Sequence, residues 1–249
     1  MLKFARTRTR VWMFFLASLL TGFGEARAAP AVYKVGVEDV DYPPIFSLKN
    51  GRFTGYTRDL LDMFARHEAI EFRYVPYPIR RLIKEYEKGT VDCIFPDNPK
   101  WVSADRKRFK VHHSRPALTF QDAIMVRPDR LGQPLRTLGI IIGFQPWKHM
   151  EEIKAGRLRV SDAPGAVSLI QMIMSGRVDG GNLALEVARY HLKEMGKPEG
   201  LVPDPKHMPL VESHYHFSSF RYPDLITAFD QFLQTEQKAV KALQEKYGF

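Results

Sequence analysis

The chain has 249 residues, 37 Lys+Arg against 28 Asp+Glu and a formal net charge of +9 at pH 7. A hydrophobic content of 45% excludes a disordered polyelectrolyte, and the single cysteine, Cys93, excludes a scaffold held by internal disulfides. Residues 1–29 hold five of the basic residues and one Glu, so the remainder keeps about +5, scattered and without a nucleic-acid-binding motif; no nucleic-acid partner is expected.

Met1–Ala28 has the make-up of a secretory signal. Lys3, Arg6, Arg8 and Arg10 precede the apolar run Val11–Phe23, and Ala26-Arg27-Ala28 supplies a small-x-small cleavage site. The run is short for a bilayer span, and no later stretch approaches the length of one. Cleavage would release an exported, soluble protein of about 220 residues, enough to bury a core without staples.

Beyond the signal, strands and helices alternate. Tyr33–Val37 reads as a strand, Pro43-Pro44 as a turn and Asn50-Gly51 as a tight turn. Thr57–His67 has helical periodicity through Leu60, Leu61 and Phe64, followed by strand Glu71–Val75, helix Ile79–Lys88 and strand Val91–Phe95. Cys93 falls in that last apolar run, where a free thiol packs as a small apolar group. Pro96–Ser103 reads as an ordered loop and Thr119–Val126 as a strand. A second series comprises strand Leu138–Ile142, helix Trp147–Lys154, strand Leu158–Val160, helix Ala166–Ser175, strand Val178–Asn182 and helix Leu185–Met195. A Pro-rich connection, Lys197–Met208, leads to strand His214–Phe220 and to amphipathic helices Pro223–Thr235 and Glu236–Tyr247. The alternation indicates α/β architecture with mostly parallel sheets. Neither GxGxxG nor GxxxxGK[ST] occurs, so no nucleotide cofactor is expected.

One pattern occurs twice. Leu-Ile-x5-Gly-x-Val-Asp spans Leu82–Asp92 and returns at Leu169–Asp179, 87 residues further on. Each copy reads as a helix end, a glycine stop and a strand start. The spacing is too wide for a solenoid and fits two similar α/β lobes with a cleft between them.

The residues resemble the family 3 bacterial extracellular solute-binding proteins, typified by periplasmic amino-acid-binding proteins of ABC importers. The resemblance covers the whole mature chain. It rests on Tyr42-Pro43-Pro44-Ile45-Phe46, on Gly51 and Gly55 through Leu60, on Gly89-Thr90-Val91-Asp92 followed by Ala104-Asp105-Arg106 and Ser114-Arg115-Pro116, on Leu138–Gly143, on Gly176-Arg177-Val178-Asp179 and on Lys246-Tyr247-Gly248. It implies a periplasmic-binding-protein-like fold: two α/β lobes joined by two crossover strands, mapped to Leu118–Gln121 and Ser213–Phe217. Lobe 1 would be 29–119 plus 217–249, and lobe 2 would be 120–216. Solute would bind between them as they close by hinge motion.

The resemblance also implies the site. Arg106 matches the arginine that grips a solute carboxylate, a role suited to a guanidinium fork. Tyr42 and Phe46 stand where the family offers an aromatic face, although core packing explains Phe46 better. Gly143 matches a glycine at a helix N-terminus whose N–H groups receive the carboxylate.

Several positions depart from the pattern. Asp97 stands, after Pro96, where small hydroxyl residues are usual; it could bind an amine or cap the following turn. Phe144 replaces a threonine, with Gln145 and Trp147 adding bulk. Where α-amino-acid binders carry an ammonium-holding Asp, this chain has Asn182 nearby and Glu186 in the following helix. His112, His113, His214 and His216 lie near the crossings without acidic or thiol partners at ligand spacing, so no metal is expected.

The expectation is therefore a non-enzymatic, monomeric receptor for a small polar, carboxylate-bearing solute, presented to an ABC permease. Two alternatives share the scaffold. One is an orphan sensor or scavenger without an importer. The other is an enzyme resembling cyclohexadienyl dehydratases, with Glu186 as the acid.

Overall fold

The computed structural model describes residues 29–101 and 109–249. The signal-like segment 1–28 and Arg106 lie outside the described residues.

In chain order the elements are β1 (Val32–Glu38), β2 (Ser47–Lys49), β3 (Arg52–Thr54), α1 (Tyr56–His67), β4 (Glu71–Tyr77), α2 (Ile79–Glu87), β5 (Cys93–Asp97) and β6 (His112–His113). They continue as β7 (Leu118–Val126), β8 (Thr137–Ile141), α3 (Met150–Lys154), β9 (Arg159–Ala163), α4 (Ala166–Met174), β10 (Gly180–Ala184) and α5 (Leu185–Glu194). The chain ends with β11 (Val202–Pro203), β12 (Val211–Ser219), α6 (Pro223–Thr235) and α7 (Gln237–Tyr247).

The main sheet runs β4-β1-β5-β12-β7-β10-β8-β9. It reads outward from its centre as two half-sheets of matching order, and their strands pair in matching register. Val35 and Gly36 of β1 face Cys93 and Ile94 of β5, in parallel. Leu138 and Gly139 of β8 face Gly180 and Gly181 of β10 in the same way. The repeated motif builds both pairs. Gly89 and Gly176 sit at φ 74 and 73, the left-handed conformation that lets a helix end turn into a strand. Both make the same closing bonds, Thr90 N–H to Glu85 O at 3.0 Å and Arg177 N–H to Met172 O at 2.9 Å.

The motif's last residue then fastens the inner strand of its half. The Asp92 carboxylate accepts the Lys34 N–H at 2.8 Å. That of Asp179 accepts the N–H groups of Arg136 and Thr137 at 2.9 and 2.8 Å, and the Thr137 hydroxyl at 2.9 Å. Gly36 and Gly139 complete the likeness: a Cβ at either would run into the motif's own leucine, Leu82 or Leu169.

The two segments the resemblance designates as crossings pair with each other. Ser213, His214 and Tyr215 of β12 lie opposite Phe120, Thr119 and Leu118 of β7. Farther along, β12 pairs with β5, placing His216 opposite Asp97, while β7 pairs with β10, placing Asp122 opposite Ala184. After β12 the chain returns to α1. Phe64 meets Phe229 edge-on at 5.0 Å between ring centres, and the Lys246 ammonium and Tyr247 hydroxyl reach Asp59 at 2.9 and 2.8 Å.

Some elements differ from their expected form. Asn50-Gly51 closes a β2–β3 hairpin with φ of 52 and 73 at the two residues, as a type I′ turn requires. The helix expected over Trp147–Lys154 is α-helical only from Met150. The Pro146 carbonyl takes the His149 N–H at 2.8 Å and tightens the first turn into a 3₁₀ form. The strand expected over Val178–Asn182 begins at Gly180, because Val178 packs inward beneath Gly139 and Asp179 spends its carboxylate on β8.

Candidate binding cleft

A cleft of about 210 Å³ opens where the ends of β1 and β5 face the turn after β8 and the end of β10, with β7 and β12 as its floor. Tyr42, Asp97, Gly143, Phe144, Trp147 and Asn182, all singled out from sequence, line it.

Tyr42 is the main link across. Its hydroxyl accepts the Ala184 N–H at 2.8 Å, and its ring meets Phe144 edge-on at 5.3 Å. Burial pushes the Tyr42 phenol well above its usual range, so it stays neutral and keeps its proton available for donation.

Phe46 does not line the cleft. It is fully buried behind Tyr42, 5.7 Å between ring centres, where it also stacks on Phe53; its contribution is packing. Gly143 lines the cleft but does not begin a helix, since Phe144, Gln145 and Pro146 separate it from the 3₁₀ turn. Its φ of 94, together with the Ile79 side chain 3.0 Å from where a Cβ would stand, explains the glycine. The cleft therefore has no helix-end donors at this position. Trp147 is 45% exposed at the rim, with the Lys148 ammonium 5.2 Å from its ring centre.

Asp97 is 1% exposed. One carboxylate oxygen accepts the Asn98 N–H at 2.8 Å and the other the Ser218 hydroxyl at 2.6 Å; the His113 ring nitrogen stands 3.1 Å from the latter. Asn182 is turned toward its own sheet: its amide donates to Asp122 at 2.7 Å and to the Ala123 carbonyl at 3.2 Å.

Sequence reasoning missed two acids on the cleft wall, Glu38 and Asp122. Glu38 closes β1 and is only 5% exposed. Burial, reinforced by the nearby Asp97, pushes its carboxyl up to about 8. Asp122 stands in the middle of β7, and burial raises it to about 6, against the opposing pull of the Asn182 amide. A signal for both was present in the sequence. Glu38 directly follows the buried run of β1, and Asp122 shares the inward phase of Leu118 and Phe120; a carboxyl at such positions is out of place in a purely structural strand. Tyr215 and Phe120, 4.4 Å between ring centres, add aromatic floor.

Glu186 does not line the cleft. It reaches from the first turn of α5 to the Gln121 N–H, at 3.2 Å from one oxygen and 3.3 Å from the other. Among the described residues no group of three or more His, Cys, Asp or Glu could hold a metal. His214 and His216 instead bond Thr119 and the Ser114 carbonyl, at 2.9 and 2.7 Å. No helix among the described residues is long and apolar enough to cross a membrane.

Comparison with known proteins agrees with this architecture. No curated protein matches the sequence. Among solved structures, the P235GK mutant of ArgBP from T. maritima superposes with a TM-score of 0.68 at 22% identity, over 87% of this chain and 95% of that one. A histidine kinase sensor domain with similarity to periplasmic binding proteins gives 0.71 at 18% identity, over 89% and 98%. The ABC-transporter substrate-binding protein AbpA from Streptococcus pneumoniae, bound to L-arginine, gives 0.68 at 16%, over 87% and 94%. At these identities the likeness is one of fold. The sequence model of the bacterial extracellular solute-binding proteins, family 3, matches residues 33–249, nearly the whole chain. The chain belongs to that family.

Proposed function

We propose that this protein is a periplasmic receptor for a small, polar, amino-acid-like solute, which it captures in the cleft and presents to an ABC permease. The solute's carboxylate would be taken by Arg106. Two lobes, 29–119 with 217–249 and 120–216, would close about the paired strands β7 and β12, after removal of 1–28 as a signal peptide. The receptor works as a monomer and without covalent chemistry: a closed state need only bind solute much better than an open one.

The observation that carries this reading is the cleft itself, walled from both half-sheets and bridged by the Tyr42–Ala184 hydrogen bond. Family membership supports it, as do structural neighbours described as an ancestral arginine-binding protein bound to arginine and bound to glutamine.

The test is a thermal-shift screen of the mature protein over amino acids, dicarboxylates and amines, with calorimetry on the hits. Arg106→Ala should abolish the response to carboxylate-bearing solutes; unchanged affinity would remove Arg106 from the site.

A further inference from the structure

Beyond the signal-like segment the chain has two tryptophans, Trp101 and Trp147, and both line the cleft. They come from opposite half-sheets, Trp101 from the turn after β5 and Trp147 from the turn after β8. At 38% and 45% exposure they keep much of their apolar surface in water, so packing does not account for them.

Each is nevertheless held on a well-fastened turn. The Trp101 N–H donates to the Asn98 carbonyl at 2.9 Å, and the Asn98 side chain ties that turn down. Its oxygen accepts the Lys100 N–H and its amide donates to the His214 carbonyl of β12, both at 2.8 Å. The Trp101 ring then meets Tyr215 of the cleft floor edge-on, 5.7 Å between ring centres. On the other side, the Trp147 turn is bracketed by two buried side chains, Pro146 and His149, and closed by the His149 N–H on the Pro146 carbonyl. The Lys148 ammonium lies over one face of the Trp147 ring and leaves the other for a guest. Ile79, Ile83 and Phe144, each partly exposed, add apolar wall. The cleft is thus graded: its buried lining carries the acids Glu38 and Asp97, and its exposed lining carries the indoles.

Two indoles offered to one cleft from opposite halves suit a flat ring, because stacked and edge-on ring pairs attract beyond the area they bury. We propose that the solute ends in an aromatic ring, remote from its polar head, and that Trp101 and Trp147 clamp this ring as the halves close. The solute is then longer than an aliphatic amino acid and reaches the cleft mouth. This deepens the receptor reading and rests on it.

Calorimetry tests both, using L-phenylalanine, L-tryptophan and phenylacetate as aromatic probes and L-cyclohexylalanine and cyclohexylacetate as saturated counterparts of matched charge and size. At least one aromatic probe should bind, about fivefold or more tighter than its saturated counterpart. Trp147→Ala and Trp101→Ala should each weaken that binding about tenfold, and the corresponding Phe variants should restore most of it; W147A carries the test alone if W101A fails to fold. W101F and W147F each leave the mature protein one tryptophan, whose fluorescence should change on binding in both. Saturated probes binding as tightly as aromatic ones, affinity unchanged in the Ala variants, or a wider screen that yields only solutes without a ring would overturn the clamp and leave the receptor reading standing. No binding by any member of the wider screen would overturn the receptor reading, and this proposal with it.

Discussion

The half-sheet on β1 and the half-sheet on β8 share a helix stop, an aspartate tie and a leucine-on-glycine contact, yet they spend their acids differently. Asp179 satisfies two backbone N–H groups and a hydroxyl and also pairs with Arg130 at 2.8 Å. Asp92 accepts one N–H and stands 3.5 Å from Arg221. The β8 half keeps its acid at the foot of the strand, where it secures structure. The β1 half adds acids at the head, where the cleft is. A repeated scaffold thus separates what holds a strand in place from what faces a ligand.

The largest expected effect breaks this contrast at the strand head. The Glu38 carboxyl holds its proton far more tightly when folded, at about 8 against an ordinary 4.5. That contribution to stability is complete below pH 4.5 and is lost as pH climbs through about 8, on the order of a few kcal/mol over the window. The groups around it, Asp97 on β5, Asp122 on β7, Tyr215 on β12 and Tyr42, are acids or buried phenols, so none opposes the trend. Urea melts of wild type should weaken from pH 5 to 9 by more than those of E38Q, in which Asp122, raised to about 6, still contributes a slope of its own; equal slopes would contradict the assignment.

Next comes the strand foot. Asp179→Ala strands several donors, and Asp92→Ala strands one. The expected losses are about 3 and about 1 kcal/mol, measured by urea unfolding. Equal losses would mean that the tie is not what distinguishes the halves.

A smaller change tests the link between them. Tyr42→Phe leaves the buried Ala184 N–H without its acceptor and should cost about 1 kcal/mol. It should also raise the radius of gyration of the solute-free protein in small-angle scattering, and an unchanged radius would show that the bond does not hold the halves together. The smallest effect belongs to the rim: Trp147→Ala, at an exposed position, should shift stability by less than about 0.5 kcal/mol.

Much of the frame was legible because it is local. The repeated Leu-Ile-x5-Gly-x-Val-Asp specifies a helix end by the backbone freedom of its glycine, and Asn50-Gly51 specifies a hairpin for the same reason. The cleft was legible only in part. Tyr42, Asp97 and Asn182 were reachable through family positions, whereas Glu38 and Asp122 become neighbours of the cleft only once β1 and β7 occupy their places in the sheet. Phe46 shows the reverse: its family position offered an aromatic face beside Tyr42 while core packing explained it better, and a turn sends one ring to the cleft and the other to the core. The expected helix start at Gly143 failed because Pro146 delays the helix.

Cys93 lies wholly enclosed on β5, and its thiol is pushed well up from its usual range, which keeps it protonated and unreactive. It is also the chain's sole sulfhydryl. Alkylation of the intact protein therefore acts as a clock for global opening, blind to movements confined to the cleft mouth, and a bound solute should slow that clock in proportion to its occupancy.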